Sequence, residues 1–88
     1  MSYSVAVLPE ARRHLSRLEE KHLFAVLELI YGSLATDPHR VGRPLRSEWE
    51  GLHAARRGEL RVIYEIDDEA EVVTIHRVAH RRDVYRSQ

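Results

Sequence analysis

The sequence predicts an α+β fold: an N-terminal strand, a two-helix hairpin, then a three-stranded antiparallel meander, with the helices packed on one face of the sheet. Three observations carry this reading. Leu23, Val26, Leu27, Ile30, Tyr31 and Leu34 recur at spacings of three and four, the stripe of an amphipathic helix. Residues 60–66 alternate, so Leu60, Val62, Tyr64 and Ile66 share one side of a strand and Arg61, Ile63 and Glu65 the other. The run from Glu71 to Ala79 is rich in β-branched residues, and the acidic stretch Asp68, Glu69, Ala70 before it reads as a hairpin turn.

Each element follows in order. Tyr3 to Leu8 reads as the first strand, and Pro9, suited to the first turn of a helix, switches the chain into Glu10 to Leu18. Ala11, Leu15 and Leu18 form the apolar side of that helix, with Arg12, Arg13 and Arg17 outside. The second helix spans about Glu20 to Leu34, its last turn weakened by Gly32. Ala35 to Trp49 reads as a linker, broken by Pro38, Gly42 and Pro44. Leu52 to Arg56 is a short strand, and Arg57-Gly58-Glu59 a tight connection into the strand that carries Arg61. In the run 71–79 apolar residues fall on both faces, which predicts a central strand covered on both sides over part of its length. His80 to Arg86 turns toward a short helix or an irregular tail.

Eighty-eight residues are expected to form one domain, 1–88, with one core of two packed layers. The absence of Cys excludes disulfides and thiolate metal sites and points to a reducing cytoplasm. No apolar run approaches the roughly 18 residues of a membrane span, and Met1 to Ser4 lacks the basic start of an export signal, so no membrane association is expected. Net charge is formally zero, yet thirteen of the 14 basic residues are Arg, which binds phosphate bidentately and stacks on bases. Acidic residues collect at Glu65, Asp67, Asp68, Glu69 and Glu71, while Arg40, Arg43, Arg46, Arg56, Arg57 and Arg61 precede them and Arg77, Arg81, Arg82 and Arg86 follow. A neutral total therefore conceals a dipolar surface.

Other chemistries fit poorly. His76 and His80 are four apart on a strand, roughly 13 Å at strand rise, and no His pair has helical zinc spacing with a third ligand in view, so no metal is expected. No serine sits on a nucleophile elbow, and the four glycines are too isolated to cradle a phosphate.

The segment Pro38 to Leu45 (PHRVGRPL), the run Gly51 to Ile66 (GLHAARRGELRVIYEI) and the segment Val78 to Tyr85 (VAHRRDVY), in that order after a strand and a helical hairpin, resemble the RelE toxin family of bacterial toxin–antitoxin systems. The resemblance covers nearly the whole chain and is strongest to short actinobacterial-type members. It implies a metal-independent, cofactor-free endoribonuclease that cuts mRNA in the ribosomal A site. It also implies a RelB-like antitoxin as inhibitor, and a toxin–antitoxin hetero-oligomer that binds operator DNA through the antitoxin. In that chemistry the ribose 2′-hydroxyl attacks the adjacent phosphate, leaving a 2′,3′-cyclic phosphate and a 5′-hydroxyl. Arg61 matches the family's strand arginine, Arg81 the arginine after the last strand, Tyr85 the C-terminal tyrosine that stacks on a base, and Arg56 a basic position on the preceding strand. Arg43, Arg46, Arg57, Arg82 and His53 join Arg56 as expected substrate contacts.

The chain departs from the family where lysines precede the Arg61 strand, because Leu52-His53-Ala54-Ala55 stands there. His80 and His53 are the candidates to move the proton, since imidazole titrates near neutrality, and Glu48 or Glu50 is the carboxylate alternative. Two further readings stay open: a non-enzymatic gyrase inhibitor of the related ParE kind, and a weakened toxin kept as an antitoxin-binding co-repressor.

Overall fold

The computed structural model describes residues 2–80. Strand β1, Ser4–Val7, leads through Leu8 into helix α1, Pro9–Ser16, with Pro9 at its first turn. Helix α2, Glu20–Leu29, continues into a wider π-helical segment, Ile30–Leu34, where Gly32 leaves helical angles altogether. The stretch 35–49 is more structured than its composition suggests. It holds a single helical turn α3, Pro38–Val41, a two-residue strand β2, Arg43–Pro44, and a 3₁₀ turn, Ser47–Trp49. Strands β3 (His53–Arg57), β4 (Leu60–Asp67) and β5 (Val72–His80) follow.

The sheet runs β1-β5-β4-β3-β2, with β1 parallel to β5 and every other pair antiparallel. The antiparallel part thus has four strands rather than three. Residues 43–44 escape a reading by composition because one is proline and the strand exists only through its pairing with β3, Arg43 opposite Ala54.

The core lies between the helices and one sheet face. Ala11, Val26, Ile30 and Leu34 bury completely against Val62, Tyr64, Val73 and Ile75. As the apolar pattern of 71–79 suggests, β5 is an interior strand, paired with β1 on one edge and β4 on the other, while β4 is the middle strand of the five. In β5 the register slips between Ile63 and Tyr64, whose partners are Arg77 and Ile75, leaving His76 as the extra residue of a bulge. The bulge shifts the alternation, so Val73, Ile75 and Val78 all reach the helix side. That phase change is what mimics a strand apolar on both faces. Ile63 is also fully buried, but outside the helix-side core, on the opposite face. Among the described residues no helix is long and apolar enough to cross a membrane.

Candidate nucleic-acid interface

The site begins with a buried phenol. Tyr64 is fully enclosed on β4, and its hydroxyl donates to the Pro38 carbonyl at 2.6 Å. Burial pushes its pKa up to about 12, with the Gly42 N–H hydrogen bond to the phenol oxygen pulling the other way. Both orphan polar functions are satisfied, and residues 38–42 are clamped to the sheet. A Cβ at Gly42 would collide with the Tyr64 hydroxyl and stand 2.7 Å from the Ala54 carbonyl oxygen, so the approach needs glycine. The clamp delivers Arg43 onto β3 as the start of β2.

A two-residue turn then sets the facing pair. Gly58, at φ 61°, opens the reversal between β3 and β4 and places Arg56 opposite Arg61. On β4 Arg61 points away from Leu60, Val62 and Tyr64, to the face without helices. Arg43, Arg56 and Arg61 there line a groove of about 610 Å³ whose apolar walls include Val41, Leu45 and Ala54. Among the described residues that line it there are three arginines and no carboxylate. A groove of that kind collects polyanions and holds a phosphate from several directions.

Beyond the groove the same face carries residues the sequence did not single out. Arg77, on β5 opposite Ile63, places its guanidinium carbon 5.9 Å from the Trp49 ring and its Nε 3.8 Å from Glu10. Trp49 hangs from the loop joining β2 to β3 yet reaches β5, so it crosses β4, where buried Ile63 lies aligned with Arg77. Its loop holds two residues at positive φ, Ser47 at 59° and Gly51 at 95°. His76 in the bulge bonds Glu65 on β4, Nε2 to Oε1 at 3.0 Å. The tryptophan contact spans 28 positions and the bulge is set by cross-strand register, so neither leaves a local signal.

Several expected contacts lie elsewhere. Arg57, next to Arg56, points to the helix side because strand neighbours face opposite ways, and it pairs with Glu28 at 2.7 Å. His80, opposite Leu60, also faces the helices. It bonds Glu59 at 2.8 Å and, with His22 and Arg57, lines a separate cavity of about 250 Å³. His53 stacks on Tyr64 with ring centroids 5.6 Å apart and meets His39 edge-on at 5.8 Å. Burial lowers its pKa, His39 adds to the effect and Asp68 opposes it. Neither His53 nor His80 therefore shares the groove with Arg61. Arg46, Glu48 and Glu50 are exposed on the 45–52 loop and do not line the groove. Arg81, Arg82 and Tyr85 lie outside the described residues.

A family model described as the ParE toxin of type II toxin–antitoxin systems matches residues 5–85. The chain is 49% identical to Toxin RelE of Mycobacterium tuberculosis over 84 residues, 96% of this chain and 87% of that toxin. It is likewise 49% identical to Toxin RelG of the same organism over 86 residues, 98% of this chain and 99% of that toxin. The toxin–antitoxin complex RelBE2 of M. tuberculosis contains a chain that superposes with a TM-score of 0.89 at 47% identity, covering 94% of this chain and 95% of that one.

Proposed function

The chain belongs to the ParE toxin family of type II toxin–antitoxin systems as a RelE-type toxin, and from that premise we propose that it is a metal-independent endoribonuclease cutting mRNA in the ribosomal A site. The observation that supports this reading most is the groove on the helix-free face, which Arg43, Arg56 and Arg61 line together, with no carboxylate among the described lining residues. In-line attack by a ribose 2′-hydroxyl crowds negative charge onto the non-bridging phosphate oxygens. Guanidiniums fixed on paired strands stabilise that charge without reorganising. Arg61 sits on the central strand, where the backbone is held from both sides, and takes the transition-state role, while Arg56 across from it and Arg43 on β2, two strands away along the same groove, seat the flanking phosphates.

By match to the family's pattern, Arg81 joins Arg61 on the scissile phosphate and Tyr85 stacks on a base, with Arg46 and Arg82 as outer contacts. The matched M. tuberculosis structure is a toxin–antitoxin complex, which supports a RelB-like antitoxin as partner. An acidic or apolar antitoxin segment covers the Arg61 face or displaces the segment bearing Tyr85, and the complex binds operator DNA through the antitoxin. The place of action is the cytoplasm, where ribosomes and messenger meet.

Mapping the ends of an mRNA after exposure of programmed ribosomes to the purified protein tests the reading. Cuts within the A-site codon that leave a 2′,3′-cyclic phosphate and a 5′-hydroxyl are expected, reduced at least 100-fold by Arg61→Ala and by Arg81→Ala. Intact messenger with wild-type protein would refute it. The family's ParE description favours a second reading, inhibition of DNA gyrase, which a supercoiling assay separates from the first.

A further inference from the structure

We propose that the groove seats one whole nucleotide of the messenger, its base against Leu45 and Ala54, between the phosphates that Arg43 and Arg61 hold. The inference rests on the endoribonuclease reading and deepens it. A groove that tracked the backbone alone would need cations and little else.

The lining divides by chemistry. Apart from its three arginines, every described residue that lines the groove is apolar, Val41, Pro44, Leu45 and Ala54 among them. A sugar or a peptide brings hydrogen-bond donors that these side chains leave unanswered, because a guanidinium has no acceptor. A nucleotide brings a flat base face, which packs on apolar groups, joined to anions, which guanidiniums hold. With about 610 Å³ the groove falls in the size range of sites that enclose a small organic ligand.

Strand register makes the seat. Ala54 on β3 stands opposite Arg43 on one side and Ile63 on the other, and shares a face with Arg56 two positions along. A methyl group therefore forms the floor where its neighbours on that face are long. Leu45 follows directly on β2, where its N–H bonds the Leu52 carbonyl at 2.9 Å. It is half-buried yet outside the core, so its side chain is a wall of the groove and not a prop of the fold. Arg43 and Arg61 lie two strands apart and two residues out of step, so their Cα atoms are roughly 12 Å apart by strand spacing and rise. That span, bridged by arginines of full length, accommodates two successive phosphates of a single strand with the base lying between them over Ala54. Leu45 and Ala54 act as substrate-binding residues.

The test compares ligands that differ only in the base. NMR titration gives Kd for the four nucleoside 3′,5′-bisphosphates and for the base-free methyl riboside 3′,5′-bisphosphate. In wild type the tightest nucleotide is expected to bind about 10-fold or more tightly than the base-free ligand. Ala54→Leu fills the floor and Leu45→Ala removes the wall, so in each the difference should shrink to about twofold while the base-free ligand keeps its wild-type Kd. On programmed ribosomes both variants should raise KM with kcat little changed, as loss of uniform binding does. Equal Kd values in wild type, an undiminished difference in a folded variant, or an unchanged KM in both variants overturns the seat. Should Ala54→Leu fail to melt cooperatively, Leu45→Ala, outside the core, decides alone. If wild type cuts messenger but binds all five ligands alike, the seat falls and the endoribonuclease reading stands. If it binds the base but cuts nothing, that reading falls and the nucleotide seat stands.

Discussion

At Gly42 the missing Cβ decides where Arg43 sits. The Tyr64 hydroxyl occupies the space a side chain would need, and the hydrogen bonds to Pro38 and Gly42 tie the loop to the sheet. Gly42→Ala overpacks that contact and is expected to cost about 1–3 kcal/mol. Tyr64→Phe strands the Pro38 carbonyl, whose bond to the phenol is buried, also at about 1–3 kcal/mol. Because the phenylalanine removes one of the two obstacles and leaves the Ala54 carbonyl oxygen at 2.7 Å, the double variant should cost less than the two together without returning to the cost of Tyr64→Phe alone. Urea denaturation of the four proteins checks this, and strict additivity would dissolve the link between the two residues. Arg56 and Arg57 make the complementary point, adjacent in sequence but on opposite faces of the sheet, only the first in the groove.

On the scale of elements, α1 finishes what β1 leaves open. β1 pairs with β5 only as far as Val7 with Ile75, and the next link is Leu8 N–H to the Ile75 carbonyl. Past that point α1 covers the edge, its His14 Nδ1 accepting the Val78 N–H at 3.1 Å. Burial lowers the His14 pKa, opposed by Glu10 and reinforced by Arg77, Arg17 and Arg13. A histidine whose folded pKa is depressed gives stability that is complete above its unfolded value of about 6.5, shrinks as pH falls below it, and levels off beneath the folded value. His14→Gln keeps an acceptor that does not titrate, so between pH 8 and pH 5 the wild type should lose more stability than the variant. Parallel denaturation curves at both pH values would show that the bond does not depend on the neutral ring.

Elements also show what the sequence could reveal. The α2 stripe, the β4 alternation and the turn at Gly58 were legible because each is a local period or a local glycine requirement, and they put Arg56 and Arg61 on neighbouring strands. β2 was hidden because two residues, one a proline, carry no period of their own. The His76 bulge was hidden because register belongs to the pair of strands, and the face of His80 depends on it. The lysine gap before Arg61 therefore drew attention to His53 and His80 by sequence adjacency, whereas neither lines the groove that holds Arg61.

Across the whole molecule, zero net charge divides into opposed ends. Arg43, Arg56 and Arg61 gather where β4 begins, while Asp67 and Asp68 occupy the far end, Asp68 bonded to Tyr3 at 2.7 Å and His39 at 2.9 Å. Such a field orients an approaching polyanion without attracting it to every surface. The sheet also separates the chain's arginines by face, which turns the account into a comparison between two of them. The most direct measurement is the rate of mRNA cutting on programmed ribosomes for Arg61→Ala beside Arg57→Ala, the second losing only an exposed ion pair with Glu28 that contributes little to stability. The account predicts cutting reduced at least 100-fold in Arg61→Ala and within about twofold of wild type in Arg57→Ala; equal losses in both, or full activity without Arg61, would contradict it.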